Sequence, residues 1–154
     1  MRLWHVELIS VLPRQQLISQ WRECCCIAKN LADKNTPKQR LVNKILDYPI
    51  SNFLQYTNLV IEELNRRGYR ISQKTLDSFI NNIKIYTDNN IHQFPSGYTQ
   101  NRNNIIFDNW HNNRYFTQNF YNLQEKYDCG IISQEEWMLL YNNLIKNKGD
   151  DENS

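Results

Sequence analysis

Residues 13–31 read Pro13-Arg-Gln-Gln-Leu17-Ile-Ser-Gln-Trp21-Arg-Glu-Cys24-Cys-Cys-Ile-Ala28-Lys-Asn-Leu31. Leu17, Trp21, Cys24, Ala28 and Leu31 recur at the spacing that lines one face of a helix. Pro13 precedes them at a position where a missing N–H is harmless. The stretch predicts an amphipathic helix over about 13–31, with Gln15, Gln16, Ser19, Arg22, Glu23 and Cys26 on its other face.

The same reading extends outward. Thr36-Pro37 marks the cap and first residue of a second helix running to about Leu46, and Asp47-Tyr48-Pro49 interrupts it because a residue before proline avoids helical geometry. A third helix starts near Pro49 with apolar positions Ile50, Phe53, Leu54, Leu59, Ile61 and Leu64. It closes at Arg66-Arg67-Gly68, two cations and a glycine suited to a helix C-terminus. Ser72 caps a fourth helix near 73–86. Residues Thr87 to Asn104 show little periodicity and predict a loop longer than the usual connection. Phe107, Trp110, Phe116, Phe120, Leu123 and Tyr127 predict a fifth helix ending at Gly130. Ser133-Gln-Glu-Glu136 forms a capping box ahead of Trp137, Leu140, Leu144 and Ile145.

The expected fold is all-α: a compact helical bundle in one domain over 1–148. A short extended segment at the N-terminus precedes it, and a disordered acidic tail, 149–154, follows it. Composition agrees. A chain of 154 residues with 40% hydrophobic and 12% aromatic residues is one domain's length and can bury a core, which excludes a disordered chain. Gly and Pro number only four each, too few for many short strands and their turns. No window approaches the roughly 18 apolar residues of a membrane span, and MRLWHVELIS lacks a signal peptide's apolar core. A cytoplasmic protein with no membrane partner is expected, as a monomer. Cys24, Cys25 and Cys26 are adjacent and only Cys129 stands apart, so reduced thiols are expected rather than a disulfide framework. His5, His92 and His111 lack the spacing of a zinc motif, so neither metal nor other cofactor is expected.

Charge is divided along the chain. Residues 1–85 carry 13 Lys and Arg against 7 Asp and Glu, and residues 86–154 carry 5 against 9. The basic first half is compatible with a phosphate-binding face and equally with a solvated helix surface. Lys34, Lys38, Arg40 and Lys44 belong to it under either reading. Within this half, Met1-Arg2 lies in the extended segment and Arg22-Glu23 on the polar face of the first helix. A carboxylate on a buried helix face, beside an arginine that holds a phosphate or tunes its charge, is an acid/base device. By pattern alone the pair is also ordinary for a solvated helix.

A resemblance separates these readings. The run Ser10-Val-Leu-Pro-Arg-Gln-Gln-Leu-Ile-Ser-Gln-Trp-Arg-Glu23 resembles the opening of the pyrimidine-dimer DNA glycosylase family, that of the phage endonuclease V. Ser10, Leu12, Gln15, Leu17, Trp21, Arg22 and Glu23 stand, without a gap, where the family has Ser, Leu, Gln, Leu, an aromatic and Arg-Glu. Phe53-Leu54 through Glu62-Glu63-Leu64-Asn65-Arg66-Arg67-Gly68-Tyr69 is similar to the family's buried helix, which ends in a basic pair, Gly and an aromatic. MRLWH, LPRQQL, QWREC, and WHNNRYF through NLQEKYDCG look like a cellular branch of this family. The resemblance implies a metal-free, all-helical enzyme acting on damaged double-stranded DNA, with nucleoid DNA as its place of work. It cuts the glycosidic bond of a pyrimidine dimer and then nicks the abasic strand.

The resemblance also assigns roles. The nucleophile is a backbone α-amine, here that of Met1, because a methionine before Arg2 is normally retained. Glu23 stabilises the sugar cation and moves protons in the later β-elimination, with Arg22 beside it. Arg2 and Arg22 hold phosphates, and Gln15 positions the backbone or the lesion. The chain departs from the family pattern in having Met1 where the family exposes a threonine amine and one extra residue between Arg2 and Ser10, while Gln16 replaces a histidine and Cys26 an arginine. Two other readings stay open at this point. One is a non-catalytic helical DNA-binding or interaction module of the same fold, and the other a glycosylase for a different damaged base.

Overall fold

A computed structural model describes residues 2–34, 39–90 and 105–152, with the backbone alone for 145–152. Its regular elements are a 3₁₀ helix, Val6–Val11, and six α-helices: α1 (Arg14–Ala32), α2 (Arg40–Leu46), α3 (Ile50–Arg66), α4 (Gln73–Asn89), α5 (Asn113–Asp128) and α6 (Gln134–Glu152). There is no strand among the described residues. The all-α expectation is met, and no helix among the described residues is long and apolar enough to cross a membrane.

Helix α1 is the central element, packed mainly on α4 and α3, while the 3₁₀ helix joins α3 to α6. Leu17, Trp21, Cys24, Ala28 and Leu31 are all buried, as their period requires. Gln16 and Gln20 are buried with them, so Gln16 belongs to the inner side of α1 rather than to its polar face. Helix α3 shows a larger departure. Phe53 and Leu64 are buried, but the other inward positions are Asn52, Tyr56, Thr57, Val60 and Glu63. Leu54, Leu59 and Ile61 are only partly covered. Asn52 and Tyr56, which bond Phe107 and Trp4, occupy positions where the apolar pattern looks for hydrocarbons.

Helix boundaries follow local chemistry. The Ser72 hydroxyl accepts the Thr75 N–H at 3.2 Å, and that of Ser133 accepts the Glu136 N–H at 3.2 Å. Both Gly68 (φ 84°) and Gly130 (φ 81°) take the left-handed conformation after a helix end. At Gly68 the reversal lets the Tyr69 N–H reach the Leu64 carbonyl at 3.0 Å and the Gly68 N–H reach Asn65 at 3.0 Å. The fourth helix runs three residues beyond its expected end, to Asn89, and the rest of the expected loop, 91–104, lies outside the described residues. So does the Thr36-Pro37 cap. At the C-terminus α6 continues to Glu152, into the span where an acidic tail was expected.

The fifth helix needs a correction. Phe107 and Trp110 are not on it, because Phe107 (φ 56°) and Asn109 (φ 68°) turn the backbone out of the helical path. Helix α5 begins only at Asn113, where the Asn112 side chain accepts the Tyr115 N–H. A bulky residue at positive φ is strained. Here the strain is held by full burial of Phe107 and by its N–H, which donates to the Asn52 Oδ1 at 2.8 Å.

One polar tie fixes the end of α3 to the N-terminal region. Glu63 accepts from Arg66 and, at 2.7 Å, from the Arg67 Nε. Burial pushes the Glu63 carboxyl up, but the two guanidiniums outweigh it and leave the group below its ordinary value. Arg67 also donates to the carbonyls of Leu12 (2.7 Å) and Ser10 (3.2 Å). Arg67→Met strips two carbonyls of a donor and leaves a buried carboxylate with Arg66 alone. A loss of about 2 kcal/mol is expected, read as a lower urea midpoint with an unchanged slope.

Candidate active site

The first residues do not form a helix, yet they are held as firmly as one. Six backbone groups between Arg2 and Val6 bond to side chains from elsewhere in the fold. On one edge, Gln20 of α1 donates through Nε2 to the Arg2 carbonyl (3.1 Å) and accepts the Trp4 N–H at Oε1 (2.9 Å). Tyr56 of α3 donates to the Trp4 carbonyl (2.5 Å). On the other edge, two residues of α5 act: the Tyr115 hydroxyl donates to the Leu3 carbonyl, and the Asn119 Oδ1 accepts the His5 N–H at 2.9 Å. Alternate residues thus point their backbone groups to opposite sides, as in a strand, with side chains taking the place of partner strands.

Two histidines complete the clamp. The Val6 N–H donates to the Nδ1 of His111 at 2.9 Å, and the Glu7 N–H donates to the Nδ1 of His5 at 3.1 Å. A backbone N–H can only donate, so each Nδ1 carries a lone pair and the proton of each neutral ring is on Nε2. The His5 Nε2 then donates to the His111 carbonyl at 2.8 Å. Burial holds both rings in the neutral form. It pulls His111 down to about 3, helped by the charge of His5, and it lowers His5 against the pull of Glu7. Residues scattered in sequence thus have their rings 5.2 Å apart.

Beside this clamp is a cleft of about 170 Å³ lined by Arg2, Trp4, Ser19, Gln20 and Glu23. The Arg2 guanidinium lies over the Trp4 indole, 4.9 Å from the ring centre, which orients an otherwise exposed cation. Glu23 is half-buried, and its Oε1 is inaccessible and without a hydrogen-bond partner. Burial pushes the Glu23 carboxyl up, while the positive N-terminus of the chain works in the other direction. Among the described residues no arginine forms an ion pair with it, although Arg2 lines the same cleft. A carboxyl left in this condition is a stronger base than an exposed one.

The other expected site residues are spread around this cleft. Gln15 is exposed on α1, two turns before Glu23 and on the same face as Ser19 and Cys26. Arg22 is exposed but faces a neighbouring cleft of about 290 Å³ that also contains Trp21, Tyr69 and Arg70. Arg22 and Glu23 therefore serve different clefts despite being adjacent. Met1 lies outside the described residues. Arg2 also lines a broader groove of about 600 Å³ with Arg40, Lys44, Trp110 and Tyr115. Cys24 and Cys25 are poor nucleophiles, since burial raises the Cys24 thiol to about 12 and that of Cys25 to about 11. Among the described residues no group of three or more His, Cys, Asp or Glu is placed to hold a metal.

Gln20, Tyr56, His111, Tyr115 and Asn119 are the residues that sequence reading missed. Gln20 alone had a visible sign, since it falls on the apolar side of α1 between Leu17 and Cys24.

A comparison with protein families assigns this arrangement. The family described as pyrimidine dimer DNA glycosylase matches residues 1–77, half the chain, and this span holds Arg2, Gln15, Gln20, Arg22, Glu23 and Tyr56. The chain belongs to the pyrimidine dimer DNA glycosylase family. Membership makes DNA its substrate class. The match stops before α5, so the half of the clamp supplied by His111, Tyr115 and Asn119 is defined by the structure of this glycosylase family member itself. No curated protein and no solved structure matches the chain.

Proposed function

We propose that this protein removes a base at a pyrimidine dimer in duplex DNA and then cleaves the abasic strand, through an imine on the α-amine of Met1. The observation that carries the reading is the Glu23 carboxyl, half-buried, unpaired and set in one cleft with Arg2, the residue bonded to Met1. An α-amine with a pKa near 7.7–8 is roughly 10–15% neutral at pH 7, far more than a lysine. The neutral amine attacks C1′ of the damaged nucleotide. The glycosidic C–N bond breaks and its electron pair leaves with the base; nitrogen then loses a proton, and the C1′–O4′ bond opens as O4′ takes up a proton, which leaves the protonated imine at C1′.

Glu23 has two tasks in this scheme. As a carboxylate it stabilises the positive charge that develops on the sugar, and as a base it assists removal of the C2′ proton. Removal of that proton expels the 3′ phosphate oxygen and breaks the strand. Arg2 and Arg22 contact phosphates on two sides of α1, with Gln15 further along the exposed face. The duplex has to be kinked or locally opened to bring C1′ to the amine, which costs less where damage has weakened stacking.

Borohydride reduction tests the proposal. The protein with its native N-terminus, mixed with a duplex carrying a pyrimidine dimer or an abasic site, is expected to give a covalent adduct that maps to Met1. Blocking the amine is expected to abolish it. Measurable DNA binding with no adduct on either duplex overturns the catalytic reading in favour of a non-catalytic module. Arg22→Ala is expected to weaken duplex binding and to reduce the slope of log K against log salt by about 1. An unchanged slope removes the phosphate contact from Arg22.

A further inference from the structure

We infer that Gln20 is a positioning residue for the reaction at the N-terminus, setting the register of the first residues against Glu23. The inference rests on the proposed role of the Met1 amine. Gln20 is 2% exposed, so its carboxamide has left water and must be repaid by its bonds. It bonds both the Arg2 carbonyl and the Trp4 N–H, the two groups that flank Leu3 on one edge of the segment. A rigid amide plane that holds two points of an extended chain also fixes where the chain can slide. Arg2 is the attachment point of Met1, and its carbonyl is one of those two points.

The other end of the device is the helix. Gln20 and Glu23 are three residues apart on α1, so they share a face and line the same cleft. The side chain that grips the N-terminal segment and the carboxylate that serves the reaction thus move as one body. The Tyr56 hydroxyl reinforces the grip, reaching the Trp4 carbonyl at 2.5 Å and the Gln20 Oε1 at 3.2 Å. Burial holds this phenol well above its ordinary value, so it remains a donor. A buried apolar residue at position 20 would fill the same volume while leaving the register of the nucleophile free.

Gln20→Met, Gln20→Glu and Tyr56→Phe separate positioning from folding. Gln20→Met keeps the volume and removes both bonds. Its rate of borohydride trapping on an abasic duplex at pH 8 is expected to fall by about tenfold or more, with affinity for a non-reactive abasic analogue within about twofold of wild type. Gln20→Glu keeps the acceptor for the Trp4 N–H and is expected to recover part of the rate. Its ratio to wild type is expected to rise toward one as pH falls to 5.5, where the introduced carboxyl gains a proton to donate to the Arg2 carbonyl. Rates that fall in step with affinity and thermal midpoint, with no recovery or pH trend in Gln20→Glu, overturn the inference and leave Gln20 structural. Trapping by Gln20→Met at the wild-type rate overturns it too. Should the position 20 variants fail to fold, Tyr56→Phe removes one bond of the grip. It is expected to slow trapping at unchanged affinity, and a wild-type rate there is the contrary result. An absent adduct with the wild-type protein is read separately: it defeats the proposed function and this role with it.

Discussion

Glu23→Gln is expected to reduce abasic-strand cleavage and imine trapping by about 10²–10⁴-fold while leaving affinity for the damaged duplex within about threefold. The substitution keeps the shape of the cleft and removes only the charge and the basic oxygen. It breaks no hydrogen bond at Oε1, because that oxygen has none. Stability is a second readout with a definite sign. Burial raises the carboxyl above its unfolded value, so its contribution to stability is full below that value and is lost as pH rises through the folded one. At neutral pH the ionised group is therefore a cost, and Glu23→Gln is expected to melt at the same temperature as wild type or higher. Loss of activity without loss of stability identifies a group kept for chemistry. Cleavage at the wild-type rate removes Glu23 from the mechanism.

Acid is expected to destabilise the protein from pH 6.5 downward, a window that histidine opens before the carboxylates begin to titrate. In the unfolded chain His111 titrates near 6.5, while in the fold burial brings it to about 3. Above 6.5 both states are neutral and the clamp contributes fully. Between 6.5 and about 3 the unfolded state takes up a proton that the folded state refuses, and stability falls by about 1.4 kcal/mol per pH unit for one such group. His5 is shifted in the same direction and adds to the slope. Protonating the His111 Nδ1 also replaces an acceptor by a donor facing the Val6 N–H, so the N-terminal segment is the part released. Glu63, held below its ordinary value by Arg66 and Arg67, contributes only at lower pH. His111→Ala removes the acceptor, lowers stability at pH 7 by about 1–3 kcal/mol, and should flatten the dependence between pH 6.5 and 4.5. Urea denaturation at a series of pH values measures both, and an unchanged slope in His111→Ala rules out this ring as the source.

The sequence carried much of the architecture because helix signals are local. The 3.6-residue period of residues 17–31, the hydroxyl caps at Ser72 and Ser133, and the glycines at 68 and 130 each act within a turn or two of their own position. They produce the helices α1, α3, α4 and α6 almost where they were expected. Two helix starts were misplaced: α2 begins at Arg40 rather than Pro37, with Gln39 extended before it, and the start at Phe107 failed for a non-local reason, its left-handed backbone being held by the bond its N–H donates to Asn52, 55 residues away. The inward face of α3 was misread on similar grounds, since Asn52 and Tyr56 are buried for partners on other segments.

The candidate site divides along the same line. By itself the sequence determined an all-helical chain, the face of α1 that carries Gln15 and Glu23, and, through the Arg22-Glu23 and Arg66-Arg67-Gly68 runs, the family. It could not show that Arg22 and Glu23 open into different clefts, since adjacent helix residues diverge by an angle whose consequence depends on what packs on each side. Nor could it show that His5 and His111 meet, or that Gln20, Tyr56, Tyr115 and Asn119 together replace a partner strand. Periodicity records which residues leave water, whereas the partner that each buried polar group then requires is fixed only when α1, α3 and α5 close on the N-terminal segment.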